Sequence, residues 1–95
     1  MKVHWTNVAL EQLTAIHDYI ARDSQLYAQR VVDRITKKSM GIGTLPWAGS
    51  MVPEYESPEL REVFDRPYRI IYRILQDQID VVAVIHGARQ LPPIS

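Results

Sequence analysis

The residues best suited to chemistry, or to recognition through charge, lie towards the C-terminal end of this chain. In the run REVFDRPYRIIYRILQDQIDVVAVIHGAR, from 61 to 89, Arg61, Arg69, Arg73 and Arg89 supply guanidinium groups and His86 supplies an imidazole. A guanidinium is permanently charged and offers a planar fork of donors, so such a cluster could bind a phosphate or an acidic partner segment. With the imidazole it could also position and protonate a ribose phosphate during RNA cleavage, with a carboxylate such as Glu54 as base. The structural alternative is that these arginines pair across a sheet with Glu54, Glu56, Glu59 and Glu62. From the residues alone both remain open. His4 and His17 lie far from this run, no two histidines have the spacing of a metal pair, and both read as structural.

Other chemistries are excluded more firmly. Without cysteine there is no disulfide framework, no thiolate nucleophile and no cysteine-based zinc site. No G-x-S-x-G elbow and no phosphate-cradling glycine loop occurs. Nothing calls for a cofactor or a metal. Eleven basic residues balance eleven acidic ones, which speaks against a phosphate backbone as the main partner. The charge is uneven, however. Arg22, Arg30, Arg34, Lys37 and Lys38 form a basic stretch, while Glu54, Glu56, Glu59 and Glu62 form an acidic one. No apolar run has the length of a membrane span, the N-terminus has no signal-peptide pattern, and a cytoplasmic home is the expectation.

The elements that must position these groups follow from the hydrophobic pattern. Ninety-five residues make one domain, 1–95. Lys2 to Trp5 reads as a short first strand joining the edge of a later sheet. Thr6 is a helix N-cap, and Ala9, Leu13, Ile16 and Ile20 recur at helical spacing over 7–22. Asp23-Ser24 closes this helix and caps a second, whose stripe runs through Ala28, Val31, Val32 and Ile35 until Gly41 and Gly43 end it. So short a link makes the pair an antiparallel hairpin, which needs a sheet to cover its apolar stripes. Three strands supply it: Leu60 to Phe64, Tyr68 to Leu75 and Ile79 to His86. In the second, Tyr68, Ile70, Tyr72 and Ile74 face one way and Arg69, Ile71, Arg73 and Leu75 the other. The proline-rich connection Thr44 to Pro58 reads as irregular, with Trp47 and Tyr55 packing over the sheet. The tail LPPIS has no regular pattern.

The order of elements, an α+β arrangement of strand, helical hairpin and three-stranded antiparallel sheet, carries several recognisable pieces. They are A-x-x-x-L-x-x-I at Ala9 to Ile16, Y-A-x-x-V-V-x-R-I at Tyr27 to Ile35, V-P-E at Val52 to Glu54, R-E-V at Arg61 to Val63, Y-R-I-I-Y-R-I at Tyr68 to Ile74 and I-H-G-A-R at Ile85 to Arg89. In this order and spacing the chain resembles the ParE/RelE toxin superfamily of type II toxin–antitoxin, or plasmid stabilisation, modules. The resemblance implies growth arrest by one of two routes. ParE-like members bind and block DNA gyrase without being enzymes. RelE-like members are ribosome-dependent messenger-RNA endonucleases.

In both branches a cognate antitoxin silences the toxin by folding a disordered segment along it, and operator DNA is met only through that antitoxin. Arg69 matches the strand arginine of the ribonuclease set, while Glu54 and His86 stand roughly where an acid and a histidine occur in some members. This chain has no lysine beyond Lys38 and no tyrosine after His86, and Ser50 stands where many relatives carry a basic residue. The resemblance therefore favours the ParE-like branch, with the messenger-RNA endonuclease using Glu54, Arg69 and His86 as the alternative. A groove between hairpin and sheet is expected to take the antitoxin, with Leu13, Ile16, Ile20 and the neighbours of Val31 burying its apolar side chains. Arg69 and Arg73 are expected to meet its acidic residues, and Arg61, His86 and Arg89 complete the candidate binding set.

Overall fold

The computed structural model describes residues 1–87, so the expectations for Arg89 and for the LPPIS tail fall outside the described residues. The chain runs β1 (Lys2–Trp5), α1 (Asn7–Ala21), α2 (Gln25–Ile42), a 3-10 turn at Pro46–Ala48, β2 (Ser50–Met51), β3 (Leu60–Asp65), β4 (Tyr68–Ile74) and β5 (Gln78–His86). These strands form one sheet in the order β1-β5-β4-β3-β2. The edge strand β1 runs parallel to β5, and every other neighbour is antiparallel.

The helices begin where the capping residues lie. The Thr6 hydroxyl accepts from the Ala9 amide at 3.2 Å and donates to the Val81 carbonyl at 3.0 Å, so the same residue starts α1 and ties it to β5. Ser24 caps α2 by accepting from the Tyr27 amide at 3.1 Å. The second helix passes through Gly41 and ends one residue later, with Gly43 as its C-cap. Ile42 is 4% exposed, and the gain from burying it exceeds the cost of about 1 kcal/mol for a glycine in the last turn.

Strict alternation along β4 divides the sheet into two faces. On the helix side, Ile70, Tyr72 and Ile74 pack with Val31, Ile35 and Ile42 of α2 and with Ile79, Val81 and Val84 of β5. On the outer side, Ile71 packs with Val52, Leu60, Ala83 and Ile85, and Tyr55 covers them as the sequence suggests. Strand β5 contributes to both faces, which explains its unbroken apolar run. It also carries a bulge. Tyr72 pairs with Val81 and Ile71 with Ala83, leaving Val82 as the extra residue. Beyond the end of β1, the Val84 amide donates to the Gln12 side chain of α1 at 2.8 Å.

The connection read as irregular holds the short edge strand β2, in which Ser50 pairs with Glu62 and Met51 with Arg61. Two residues show no periodicity, so this strand leaves no trace in the pattern. Trp47 corrects its expectation: it does not pack over the sheet but stands 57% exposed.

Candidate functional site

Arg69 projects from the outer face of β4 and is held on three sides. Its Nε donates to Glu62 at 2.7 Å, while Nη1 and Nη2 each donate to one oxygen of Glu54 at 2.9 Å. The two-pronged bond to Glu54 is the geometry a guanidinium fork favours. Arg69 is 7% and Glu62 4% exposed. The Glu54 hydrogen bond, with Glu62 behind it, raises the already high pKa of Arg69, so the cation persists at every pH the fold survives. One positive and two negative groups leave this site with a net negative charge. Arg73, on the same face, lies 3.8 Å from Glu59, and both are partly exposed. The Ser57 hydroxyl, before any other influence, holds the Glu59 carboxyl below its ordinary range.

His86 is elsewhere. It pairs across the strands with Tyr68, which packs on the helix side, whereas Arg69 pairs with Ile85 of the outer cluster. The sheet therefore brings Glu54 and Arg69 together and puts His86 on the opposite face. Arg61 pairs with Tyr72, on the helix side as well, so it does not join Arg69 and Arg73. Its Nε donates to the Pro58 carbonyl at 2.7 Å, its Nη1 to the Gly49 carbonyl at 3.2 Å, and its guanidinium lies 5.1 Å from the centre of the Trp47 ring.

On the helix side an open groove of about 630 Å³ lies between α1 and the rim of the sheet. Gln12, Ile16 and Tyr19 line one wall; Tyr68, Val84 and His86 line the other. His86 meets Tyr68 edge-on, with ring centres 6.1 Å apart. Burial pushes the Tyr68 phenol above its ordinary pKa, so it stays a neutral donor at the groove wall. Of the three apolar residues expected to face a partner, Ile16 lines the groove, while Leu13 and Ile20 are half-buried against the core. Tyr19, 72% exposed, is a groove residue that sequence reading passed over. The signal was present, since Tyr19 follows Ile16 at helical spacing, but a tyrosine at the end of an apolar stripe reads equally well as its solvent margin.

An apolar groove with a few polar groups on its walls can seat the apolar face of a partner segment. Among the described residues no group of three or more His, Cys, Asp or Glu is placed to hold a metal, and no helix is long and apolar enough to cross a membrane.

Comparison with known proteins gives this geometry a family. Toxin RelE2 of Caulobacter vibrioides is 36% identical over 89 residues, covering 93% of this chain and 97% of that protein. Among solved structures, a chain of the chromosomal ParDE TA system from P. aeruginosa superposes with a TM-score of 0.76 at 24% identity, covering 90% of this chain and 95% of that one. The YoeB/ParE toxin from Agrobacterium tumefaciens superposes with a TM-score of 0.63 at 16% identity, covering 90% and 98%. Both likenesses show the α+β fold of strand, helical hairpin and antiparallel strands. Residues 3–91 match the family described as the ParE toxin of the type II toxin–antitoxin system parDE, and the chain belongs to that family.

Proposed function

We propose that this toxin arrests growth by binding DNA gyrase in the cytoplasm rather than by cutting RNA, and that a cognate antitoxin silences it from the groove. The observation that carries the proposal is the state of Arg69. Cleavage of RNA needs a cation facing the scissile phosphate, and here the strand arginine is enclosed by two carboxylates in a site of net negative charge. A phosphate approaching it would have to displace Glu54 and meet the charge of Glu62. The position of His86 across the sheet supports the same reading, because it separates the imidazole from Glu54 and Arg69.

The antitoxin's apolar side chains enter the groove against Ile16, Tyr19 and Tyr68. Arg73, partly exposed, is the arginine on the outer face best able to meet one of its carboxylates. Arg69 acts indirectly, by holding Glu54 and the loop that carries it. Ordering a disordered segment costs free energy, so tight binding requires a wide interface that the groove only begins. Because Tyr19 is largely exposed, Tyr19→Ala leaves the fold intact and is expected to weaken antitoxin binding about tenfold or more, read by calorimetry. Unchanged affinity would remove the groove from the account.

The name of the RelE2 relative keeps one competitor in view, cleavage of messenger RNA on the ribosome by Glu54, Arg69 and His86. His86→Gln separates the readings. Growth arrest on expression without antitoxin is expected to survive this substitution; its loss, with antitoxin binding retained, would establish the enzyme and end the binding proposal.

A further inference from the structure

Trp47 is displayed rather than discarded. It sits in the 3-10 turn at Pro46–Ala48, whose Pro46 carbonyl accepts from the buried Tyr72 hydroxyl at 2.7 Å. The following Gly49 approaches so closely that a Cβ there would overlap the same hydroxyl. The turn is thus clamped to the sheet at two adjacent points, while the indole stays 57% exposed. Against it lies the Arg61 guanidinium, and Met51, 46% exposed, pairs with Arg61 in register and shares its side of the sheet. Leu45, two residues before Trp47, is 67% exposed.

The charge at this edge is uncompensated. Arg61 donates to two carbonyls, and among the described residues none of its partners is a carboxylate. Most acidic residues near it in sequence are engaged elsewhere: Glu54 and Glu62 hold Arg69, Glu59 faces Arg73 and Ser57, and Asp65 is held by Arg34, while Glu56 makes no ion pair with Arg61. A tryptophan and an arginine stacked on a rigid base, beside exposed apolar side chains, is the composition that concentrates binding energy at protein interfaces. A guanidinium that meets carbonyls and an indole but no carboxylate selects a carboxylate from a partner.

We propose that Trp47, Arg61 and Met51 form the surface by which the toxin docks on its target, an acidic patch of a protein that offers a carboxylate to Arg61 and an apolar side chain to Trp47 and Met51. This rests on the reading of the chain as a growth-arresting toxin that acts by binding. The surface is distinct from the groove. Trp47 and Arg61 gather around Tyr72, whereas the groove opens at Tyr68 and His86, where β4 begins and β5 ends.

The test expresses wild type, Trp47→Ala and Arg61→Glu without antitoxin and measures growth arrest, then measures the antitoxin affinity of each purified protein by calorimetry and its self-association by sedimentation. Each variant is expected to lose arrest potency by about tenfold or more while keeping wild-type antitoxin affinity, which also certifies its fold. Should Arg61→Glu fail to fold, Trp47→Ala decides alone, because its side chain lies mainly outside the packed structure. Full arrest by the variants would overturn the proposal. A parallel loss of antitoxin affinity would hand the surface to the antitoxin, and a self-association that the variants abolish would hand it to a second copy of the chain; either result overturns it. A wild type that arrests nothing would instead overturn the toxin reading, and this inference with it.

Discussion

Two arginines eight residues apart, on neighbouring strands, end in opposite circumstances. Arg69 on the outer face of β4 is bound by two carboxylates and almost wholly buried. Arg61 on β3 faces the helix side, donates only to carbonyls among the described residues, and lies against an exposed indole. The first is a structural ion whose partners were chosen when the chain folded. The second meets no carboxylate among the described residues, and the proposed docking surface rests on that difference. Charge alone therefore does not mark a binding residue; what marks it is charge that the fold leaves uncancelled.

The sharpest way to break this contrast is Arg69→Ala. It strands Glu62, which is 4% exposed, with a buried charge and no cation, and is expected to cost about 3–5 kcal/mol of stability in urea unfolding. A loss below about 1 kcal/mol would mean the site is wetter and freer than the burial of Arg69 and Glu62 implies. With the expected loss of stability, reduced growth arrest by this variant reports unfolding, not a lost contact with target or antitoxin.

A smaller effect is expected at the join between α1 and the bulged strand. Gln12→Ala leaves the Val84 amide without its acceptor, costing about 1–2 kcal/mol in the same measurement. It should also loosen the groove wall and so weaken antitoxin binding, which separates it from Arg61 variants.

Tyr72→Phe tests the clamp beneath Trp47. Losing the bond to the Pro46 carbonyl is expected to cost about 1 kcal/mol near neutral pH. Burial raises the Tyr72 phenol above its ordinary value of 10.0, so the folded state holds a proton that the unfolded chain gives up. The stability this phenol contributes is then level below pH 10.0 and falls as pH rises beyond it, and Tyr72→Phe removes that share of the alkaline fall. Tyr68, raised in the same direction by burial, keeps a remainder. An alkaline unfolding profile unaltered by the substitution would contradict the burial of the phenol.

Smallest of all is Arg73→Ala, where a partly exposed pair at 3.8 Å is expected to contribute at most about 1 kcal/mol. Its antitoxin affinity is the more telling readout. No change there would leave the outer face without any role in binding.

Much of this was legible beforehand, and the exceptions have physical causes. The caps at Thr6 and Ser24, the apolar stripes of both helices and the alternation along β4 are local signals that tertiary packing reinforces. The enclosure of Arg69 was legible only as one of two alternatives, because Glu54 lies 15 residues away and reaches it through a loop. The separation of His86 from Arg69 could not be counted from the hairpin at all. Without the extra residue Val82, the pairing that starts at Ile74 and Ile79 would put His86 on the face of Arg69; the bulge shifts the register by one and turns it to the other. The display of Trp47 was hidden for a similar reason. A large indole normally packs inwards, whereas the turn that carries this one is fastened by the Tyr72 hydroxyl and the close approach of Gly49, and the indole stays exposed.

The measurement that tests the central claim most directly is a supercoiling assay of DNA gyrase on relaxed plasmid with the purified toxin, run beside ribosome-programmed messenger RNA. The account expects inhibited supercoiling and intact RNA, because Arg69, the strand arginine beside Glu54, is sealed by carboxylates. Cut RNA with untouched gyrase would contradict it and turn Glu54, Arg69 and His86 into catalytic candidates.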